Sequence, residues 1–157
     1  MTLMANVVKT SGLRKAGATL PRWDDPGEDS NWFGLFVRAD EYSSPDAGDT
    51  IATLLGLTSG IIDVASIANR SFLGAGAGDQ ATSDPIDFGI VTDQSGNSLR
   101  MWIAHNSLGD STFATGVTTL FCVHDTGNNF PVIPDGAKNI TIDPHAAGWF
   151  NLSGVAA

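Results

Sequence analysis

The feature that most constrains the fold of this chain is a two-residue alternation of apolar and polar or small side chains. Apolar residues occupy every second position over residues 86–90 and again over residues 99–103. Since successive side chains of a strand point to opposite faces of a sheet, this spacing predicts two strands, each with one apolar face. Residues 93–97, Asp-Gln-Ser-Gly-Asn, are typical of a turn, so we expect the two strands to form a β-hairpin.

Short apolar segments with turn residues between them continue along the rest of the chain. Two apolar runs, residues 50–57 and 61–68, are separated by Thr-Ser-Gly and favour a second hairpin over two short helices. Residues 74–85 contain little that could pack and predict an exposed loop. The other predicted strands span residues 32–39, 118–124, 138–143 and 149–152. Seven or eight short strands predict an all-β fold, a β-sandwich or a jelly roll.

Charge divides the chain into two parts. The first 22 residues carry four cations and no carboxylate, whereas the remaining residues carry all 17 Asp and Glu against four cations. This asymmetry predicts an extended basic arm with an acidic hinge over residues 1–29 and an acidic β domain over residues 30–157. We expect the arm to contact a partner through its cations, which are Lys9, Arg14, Lys15 and Arg22.

The same charge distribution excludes several classes of partner. An acidic body repels phosphates, and the arm lacks the aromatic residues that stack on bases, so nucleic-acid binding is not expected. No apolar run approaches the roughly 20 residues that span a bilayer, and the leader lacks the order of segments of a signal peptide. We therefore expect a protein made in a cytoplasm that binds no membrane. Only 16% of the residues are charged, which favours an oligomer with part of its surface covered.

No group of residues in the sequence has a recognisable catalytic or metal-binding spacing. The three histidines, His105, His124 and His145, follow no pattern typical of zinc sites. Cys122 shares a strand face with His124, but its apolar neighbours predict a buried, unreactive thiol. The carboxylates of residues 24–29 could hold calcium, although the Pro-Gly between them favours a solvated turn. We therefore expect neither enzymatic activity nor a cofactor.

The four tryptophans allow two interpretations. Trp102 is predicted to point away from the apolar face of residues 99–103 and therefore to lie at the surface. An outward tryptophan on a strand marks a protein–protein contact more often than a glycan site, so Trp102 is a candidate for a subunit interface. In the alternative, the chain is a carbohydrate-binding β-sandwich in which Trp102 or Trp23 stacks on sugar rings.

Three segments in the last third of the chain combine packing residues with turns. They are residues 120–125, a strand before a turn; residues 133–143, a turn, a glycine and a Thr-containing strand; and residues 146–152, Ala-Ala-Gly before an apolar end. These segments resemble small virion structural proteins of tailed bacteriophages. Several proteins of this group are β-sandwiches that decorate the capsid exterior, commonly as trimers.

The resemblance implies a non-enzymatic role in the virion. The expected function is that of a capsid decoration or cement protein, commonly a homotrimer, that binds the major capsid protein and stabilises the head. Under the carbohydrate-binding alternative, the chain would belong to a phage tail and bind the host receptor.

Overall fold

The computed structural model describes residues 23–46, 48–73, 80–126, 129–146 and 148–151, and the predicted arm over residues 1–22 lies outside them. Most of the regular structure in these residues is antiparallel strand, which confirms the all-β class. The strands are β1 (Trp32–Arg38), β2 (Asp63–Ser66), β3 (Ser71–Leu73), β4 (Gln80–Thr82), β5 (Ile86–Ile90), β6 (Leu99–Asn106), β7 (Thr118–His124), β8 (Asn139–Ile142) and β9 (Phe150–Asn151). The α-helix α1 (Ile51–Leu55) lies between β1 and β2, and a 3-10 helix (Pro26–Glu28) precedes β1. None of the described helices is long and apolar enough to cross a bilayer.

A four-stranded antiparallel sheet in the order β2-β1-β6-β7 forms the centre of the fold. Its two inner strands, β1 and β6, pair from Trp32 opposite His105 to Arg38 opposite Leu99. Strands β3, β4 and β9 form a second sheet, and β5 and β8 form a third. The pair Trp32 and His105 therefore marks one end of these two strands, and the pair Arg38 and Leu99 marks the other end.

Both faces of the central sheet are buried. One face carries Phe36 and Met101 and packs in a core that includes Ile86 of β5 and Ile142 of β8. The opposite face carries residues such as Leu35 and is covered by α1. Antiparallel sheets commonly leave one face to solvent, but here the double coverage buries β1 and β6 at nearly every position.

The hairpin predicted from residues 86–90 and 99–103 does not form, although both strands exist. Strand β5 pairs with β8, and β6 lies between β1 and β7. The reason lies in the second face of each strand. Asp87 on β5 is exposed and suits a strand with one buried face, whereas Trp102 and Ala104 on β6 are apolar and need a covered second face.

The predicted hairpin of residues 50–57 and 61–68 does not form either, because its first run contains a helix. Residues 51–55 form α1, and the N–H of Thr50 donates to Oγ1 of Thr53 at 3.2 Å at its start. Ile51 and Leu54, three positions apart and therefore on one side of the helix, are both buried against the central sheet. The second apolar run contains β2, which pairs with β1 rather than with residues 50–57.

The predicted exposed loop over residues 74–85 holds a strand in its described part. Residues 80–82 form β4, which pairs with β3 and β9. Ala81 is fully buried, and its carbonyl accepts a hydrogen bond from the N–H of Trp149 at 2.6 Å. Residues 74–79 lie outside the described residues.

Candidate interaction surfaces

Trp23 marks the point at which the chain joins the folded body directly after the predicted arm. Its side chain is 1% exposed, lies in the larger core and meets Trp32 edge to face at 4.7 Å between ring centroids. The indole N–H donates to the carbonyl of Ser71 at 2.8 Å. Residues 23–29 are therefore part of the body rather than a hinge.

Buried Arg70 holds residues 23–29 in place through hydrogen bonds. Its guanidinium is buried and donates to the carbonyl of Trp23 at 2.6 Å, to the carbonyl of Asp25 at 3.0 Å and to the carboxylate of Asp29 at 3.0 Å. A fourth bond goes to the carbonyl of Ile67 at 3.1 Å. A planar guanidinium supplies several donors in fixed directions, so one side chain holds three positions of the incoming chain.

Glu28 and His105 tie the 3-10 helix to the central sheet. Oε2 of Glu28 lies 2.7 Å from Nε2 of His105, which is 1% exposed on β6, and Asn31 donates to the same oxygen. The ring of Trp32 packs edge-on against the imidazole at 5.0 Å between centroids. The carboxylate therefore lies between two donors at the end of the sheet where Trp23 packs.

These contacts also account for three of the four carboxylates considered as calcium ligands. Asp25 accepts the N–H of Gly27 at 2.8 Å, Asp29 accepts from Arg70, and Glu28 accepts from His105 and Asn31. The carboxylates thus point to separate protein donors instead of a common centre. The part of the chain that the structure describes holds no group of three or more His, Cys, Asp or Glu side chains placed to bind a metal.

The prediction that Trp102 lies at the surface is wrong. Its side chain does point away from the face of residues 99–103, but it is fully buried on the other face, in the cluster that contains Tyr42, Ile51 and Leu54. A strand with two covered faces has no outward side, which the alternation alone does not reveal. Trp102 is therefore a core residue, unavailable to a partner in this structure.

The stacking residues of the carbohydrate-binding alternative are buried as well. All four tryptophans are at most 3% exposed; they are Trp23, Trp32, Trp102 and Trp149. Stacking on a sugar ring requires an exposed aromatic face, so neither Trp23 nor Trp102 can provide the proposed platform. That mechanism is therefore wrong for this fold.

Cys122 and His124 share a strand face and meet in the core, as expected. Sγ of Cys122 lies 3.2 Å from Nε2 of His124, and both side chains are buried. Burial raises the pKa of the Cys122 thiol, and burial together with the neighbouring His145 lowers the pKa of His124 to about 3. The structure thus confirms the predicted burial of the thiol, and burial disfavours the thiolate that a cysteine nucleophile needs.

An open groove lies along the edge of β8 and was not predicted from the sequence. Within the described residues β8 pairs with β5 alone, so its other edge faces the segment of residues 129–135. The groove has a volume of about 270 Å³, and its apolar lining includes Ile133, which is 55% exposed. It is lined by Asn129, Val132, Ile133, Pro134, Asp135, Lys138, Asn139, Ile140 and Thr141.

A second exposed isoleucine, Ile90, lies on β5, which pairs with the other edge of β8. The alternation groups Ile90 with the buried residues of its strand, but the register shifts between Asp87 and Gly89, and Gly89 has a φ of 65°. The bulge turns Ile90 outward, where it is 59% exposed opposite Asn139 of β8. Ile90 therefore does not lie on the buried side of β5 with Ile86 and Phe88.

One exposed carboxylate lines the groove, and others lie on neighbouring segments. Asp135 lines it, Asp87 lies opposite Thr141, and Asp93 contacts the turn at Gly136. A fourth exposed carboxylate, Asp143, follows β8 directly. The one cation in the lining is Lys138, whose Nζ lies 3.7 Å from Asp135. The lining is therefore more polar than apolar, and its two charged side chains are paired with each other.

The four predicted contact residues of the arm lie outside the described residues; they are Lys9, Arg14, Lys15 and Arg22. Comparisons with protein-family models, with curated proteins and with solved structures gave no match to this chain.

Proposed function

We propose that this chain is a non-enzymatic structural protein of a bacteriophage virion, a capsid decoration protein that binds the major capsid protein and stabilises the head. It would be made in the host cytoplasm and reside in the virion as a homotrimer. We also propose that its fold is a β-sandwich or a jelly roll.

The observation that carries the proposal is the anchorage of the chain at the base of the basic arm. Trp23 follows Arg22 directly, is buried in the larger core, and its carbonyl accepts a hydrogen bond from the buried Arg70. In a decoration protein, the segment that contacts the capsid must be firmly attached to the folded body. An arm whose last residue directly precedes a buried core tryptophan meets that requirement.

The charge distribution indicates what kind of surface the arm would bind. Residues 1–22 bear four cations, whereas the rest of the chain has a net charge of −13. Complementary surfaces guide association and fix its orientation, so the arm would bind an acidic surface of the shell while the acidic bodies resist non-specific aggregation. The neutral state of Cys122 and His124 supports a role without nucleophilic chemistry.

The proposal is tested by co-sedimentation with purified empty heads of the phage from which the chain comes. The test variant replaces Lys9, Arg14, Lys15 and Arg22 by Gln, and the control variant exchanges Lys for Arg and Arg for Lys at the same positions. We expect the neutral variant to lose binding and the charge-conserving control to retain it. A neutral variant that binds the heads as tightly as the unmodified chain would overturn the proposal.

A further inference from the structure

We propose that His124 is an acid-sensitive switch, whose protonation releases residues 148–151 from the fold and exposes the thiol of Cys122. Residues 148–151, which we call the covering segment, read Gly-Trp-Phe-Asn and include β9. Their release would be a local opening that leaves the central sheet folded. This inference goes beyond the binding of a capsid and does not depend on it.

The covering segment encloses the imidazole of His124. The side chain is 1% exposed at the end of β7, opposite Met101 of β6. Trp149 packs edge-on against it with 5.4 Å between the ring centroids, and the ring of His145 lies at 5.5 Å. Sγ of Cys122 lies 3.2 Å from Nε2 of His124. Water therefore has little access to the imidazole while the covering segment is in place.

This enclosure suits only the neutral imidazole. Within the described residues, Nδ1 of His124 has no hydrogen-bond partner. An imidazolium carries a proton on both ring nitrogens, so protonation would leave a buried donor without an acceptor and a buried charge without water. Burial, followed by the effect of His145, lowers the pKa of His124 to about 3, although the backbone of Trp149 favours the protonated form. The protonated ring is therefore favoured where water can reach it.

The groups around His124 do not neutralise a positive charge. The titratable groups in contact with it are Cys122 of its own strand and His145 of the segment after β8. Burial disfavours the thiolate of Cys122, because it raises the pKa of the thiol. Asp125 follows His124 directly but is paired with Arg100, which lies on the face of β6 opposite to the residue that pairs with His124. Among the described residues, no carboxylate contributes to the pKa of His124.

The covering segment is held more weakly than the other elements around His124. Strand β9 has two residues, whereas β6 has eight and β7 has seven. The N–H of Trp149 donates to the carbonyl of Ala81 at 2.6 Å, and its indole N–H donates to Oγ of Ser83 at 2.9 Å. Local opening occurs where few interactions have to break, so the covering segment would open before the central sheet does.

Opening of the covering segment would expose Cys122. The thiol is fully buried, and its Sγ lies 3.7 Å from the carbonyl oxygen of Trp149. Strand β7, which carries Cys122, is an edge strand of the central sheet. Cys122 is also the one cysteine of the sequence, so the reaction of the chain with a thiol reagent reports this opening directly.

The two pKa values of His124 set the size of the expected effect. In the open form the imidazole is in water, where its pKa is about 6.5, whereas in the closed form its pKa is about 3. Between these values the open form binds the extra proton, so the opening constant rises as the pH falls, by about tenfold per pH unit. From pH 6 to pH 4 the rise amounts to about 70-fold.

The first test measures the reaction of the Cys122 thiol in the full chain, without capsids. The reagent is dithiodipyridine, which reacts with thiols in acid as well as at neutral pH. Each rate is divided by the rate of the same chain unfolded in urea at the same pH, and this ratio gives the fraction of open molecules. We expect the ratio to rise by about 70-fold between pH 6 and pH 4. A constant ratio over this range would overturn the proposal.

Two variants identify the group that titrates. His124→Gln carries a side chain that does not titrate, so its ratio should change by less than about threefold over the same range. His145→Gln is the matched control, because it removes the neighbouring imidazole and keeps His124. Burial is the larger cause of the lowered pKa, so we expect this control to retain a rise of at least about tenfold. An equal rise in His124→Gln, or a loss of the rise in His145→Gln alone, contradicts the role of His124.

The second test locates the opening by amide hydrogen exchange of the unmodified chain, followed by NMR. The N–H of Trp149 reports on the covering segment, and the N–H of Ile67, which donates to the carbonyl of Trp32 at 3.0 Å, is the control beside the central sheet. We expect the protection of the Trp149 amide to fall by the factor by which the thiol reactivity rises. The protection of the Ile67 amide should stay at least about tenfold higher at each pH.

Equal protection of the two amides would mean that global unfolding exposes Cys122, and it would overturn the proposal. Head binding is not measured in either test, so failure of this inference is distinct from failure of the capsid proposal.

Discussion

Glu28 and His105 are 77 positions apart in the sequence, yet Oε2 of the carboxylate lies 2.7 Å from Nε2 of the imidazole. The contact joins the 3-10 helix next to the arm to β6, an inner strand of the central sheet. Together with Arg70, it holds residues 23–29 against the body. The base of the arm is thus built from side chains that come from three distant parts of the sequence.

Removal of the Glu28 carboxylate should loosen this junction. In Glu28→Ala the buried imidazole of His105 loses a hydrogen-bond partner, so we expect the free energy of unfolding to fall by about 2 kcal/mol. Urea denaturation measures the change. The control is Asp24→Ala, which removes an exposed carboxylate of the same segment and should have an effect within about 0.5 kcal/mol. Equal effects of both variants would refute the structural role of the pair.

Gly148 should not tolerate a side chain. Its φ is 80°, and an added Cβ would lie 2.5 Å from the carbonyl oxygen of Ala81, which accepts the N–H of Trp149. We expect Gly148→Ala to lower the free energy of unfolding by more than about 2 kcal/mol, because backbone strain and a backbone clash add. Gly96 has a similar φ of 82° with no atom within 4 Å of the added Cβ. Gly96→Ala therefore isolates the conformational cost of about 1 kcal/mol, and a loss of that size at both positions would contradict the predicted clash.

Stability should decrease with acidification because of His124. Burial lowers the pKa of His124 in the folded state to about 3, from 6.5 in an unfolded chain. Between these values the unfolded state binds the extra proton, so the free energy of unfolding falls as the pH drops through this window. Between pH 7 and pH 5 this group accounts for about 2 kcal/mol.

His124→Gln tests the origin of that pH dependence. The variant is expected to be less stable at pH 7, but its free energy of unfolding should fall less steeply between pH 7 and pH 5. Urea denaturation over a series of pH values measures both slopes. Parallel curves for the two proteins would show that His124 does not cause the acid sensitivity.

Intrinsic fluorescence should report buried tryptophans only. Since all four indoles are at most 3% exposed, we expect a blue-shifted emission maximum, weak quenching by acrylamide and no change on addition of host polysaccharide. Unfolding in urea provides the control, because it should shift the emission to the red and restore quenching. A saturable change with polysaccharide in the folded protein would revive the carbohydrate-binding alternative.

The sequence determined the local character of several elements correctly. The alternation of apolar residues located β5 and β6, and the apolar context of Cys122 predicted its burial. The charge division between residues 1–22 and the rest of the chain is a property of composition. These features depend on neighbours within a few positions, so the sequence alone contains them.

Only the tertiary structure decided which strands pair and which faces are covered. A period of two assigns side chains to alternate faces, but it does not say what lies on each face. Trp102 is buried because α1, from a distant part of the chain, covers its side of the sheet, and Ile90 is exposed because a bulge reverses its direction. The groove beside β8 likewise depends on contacts between segments far apart in sequence, for which local spacing carries no information.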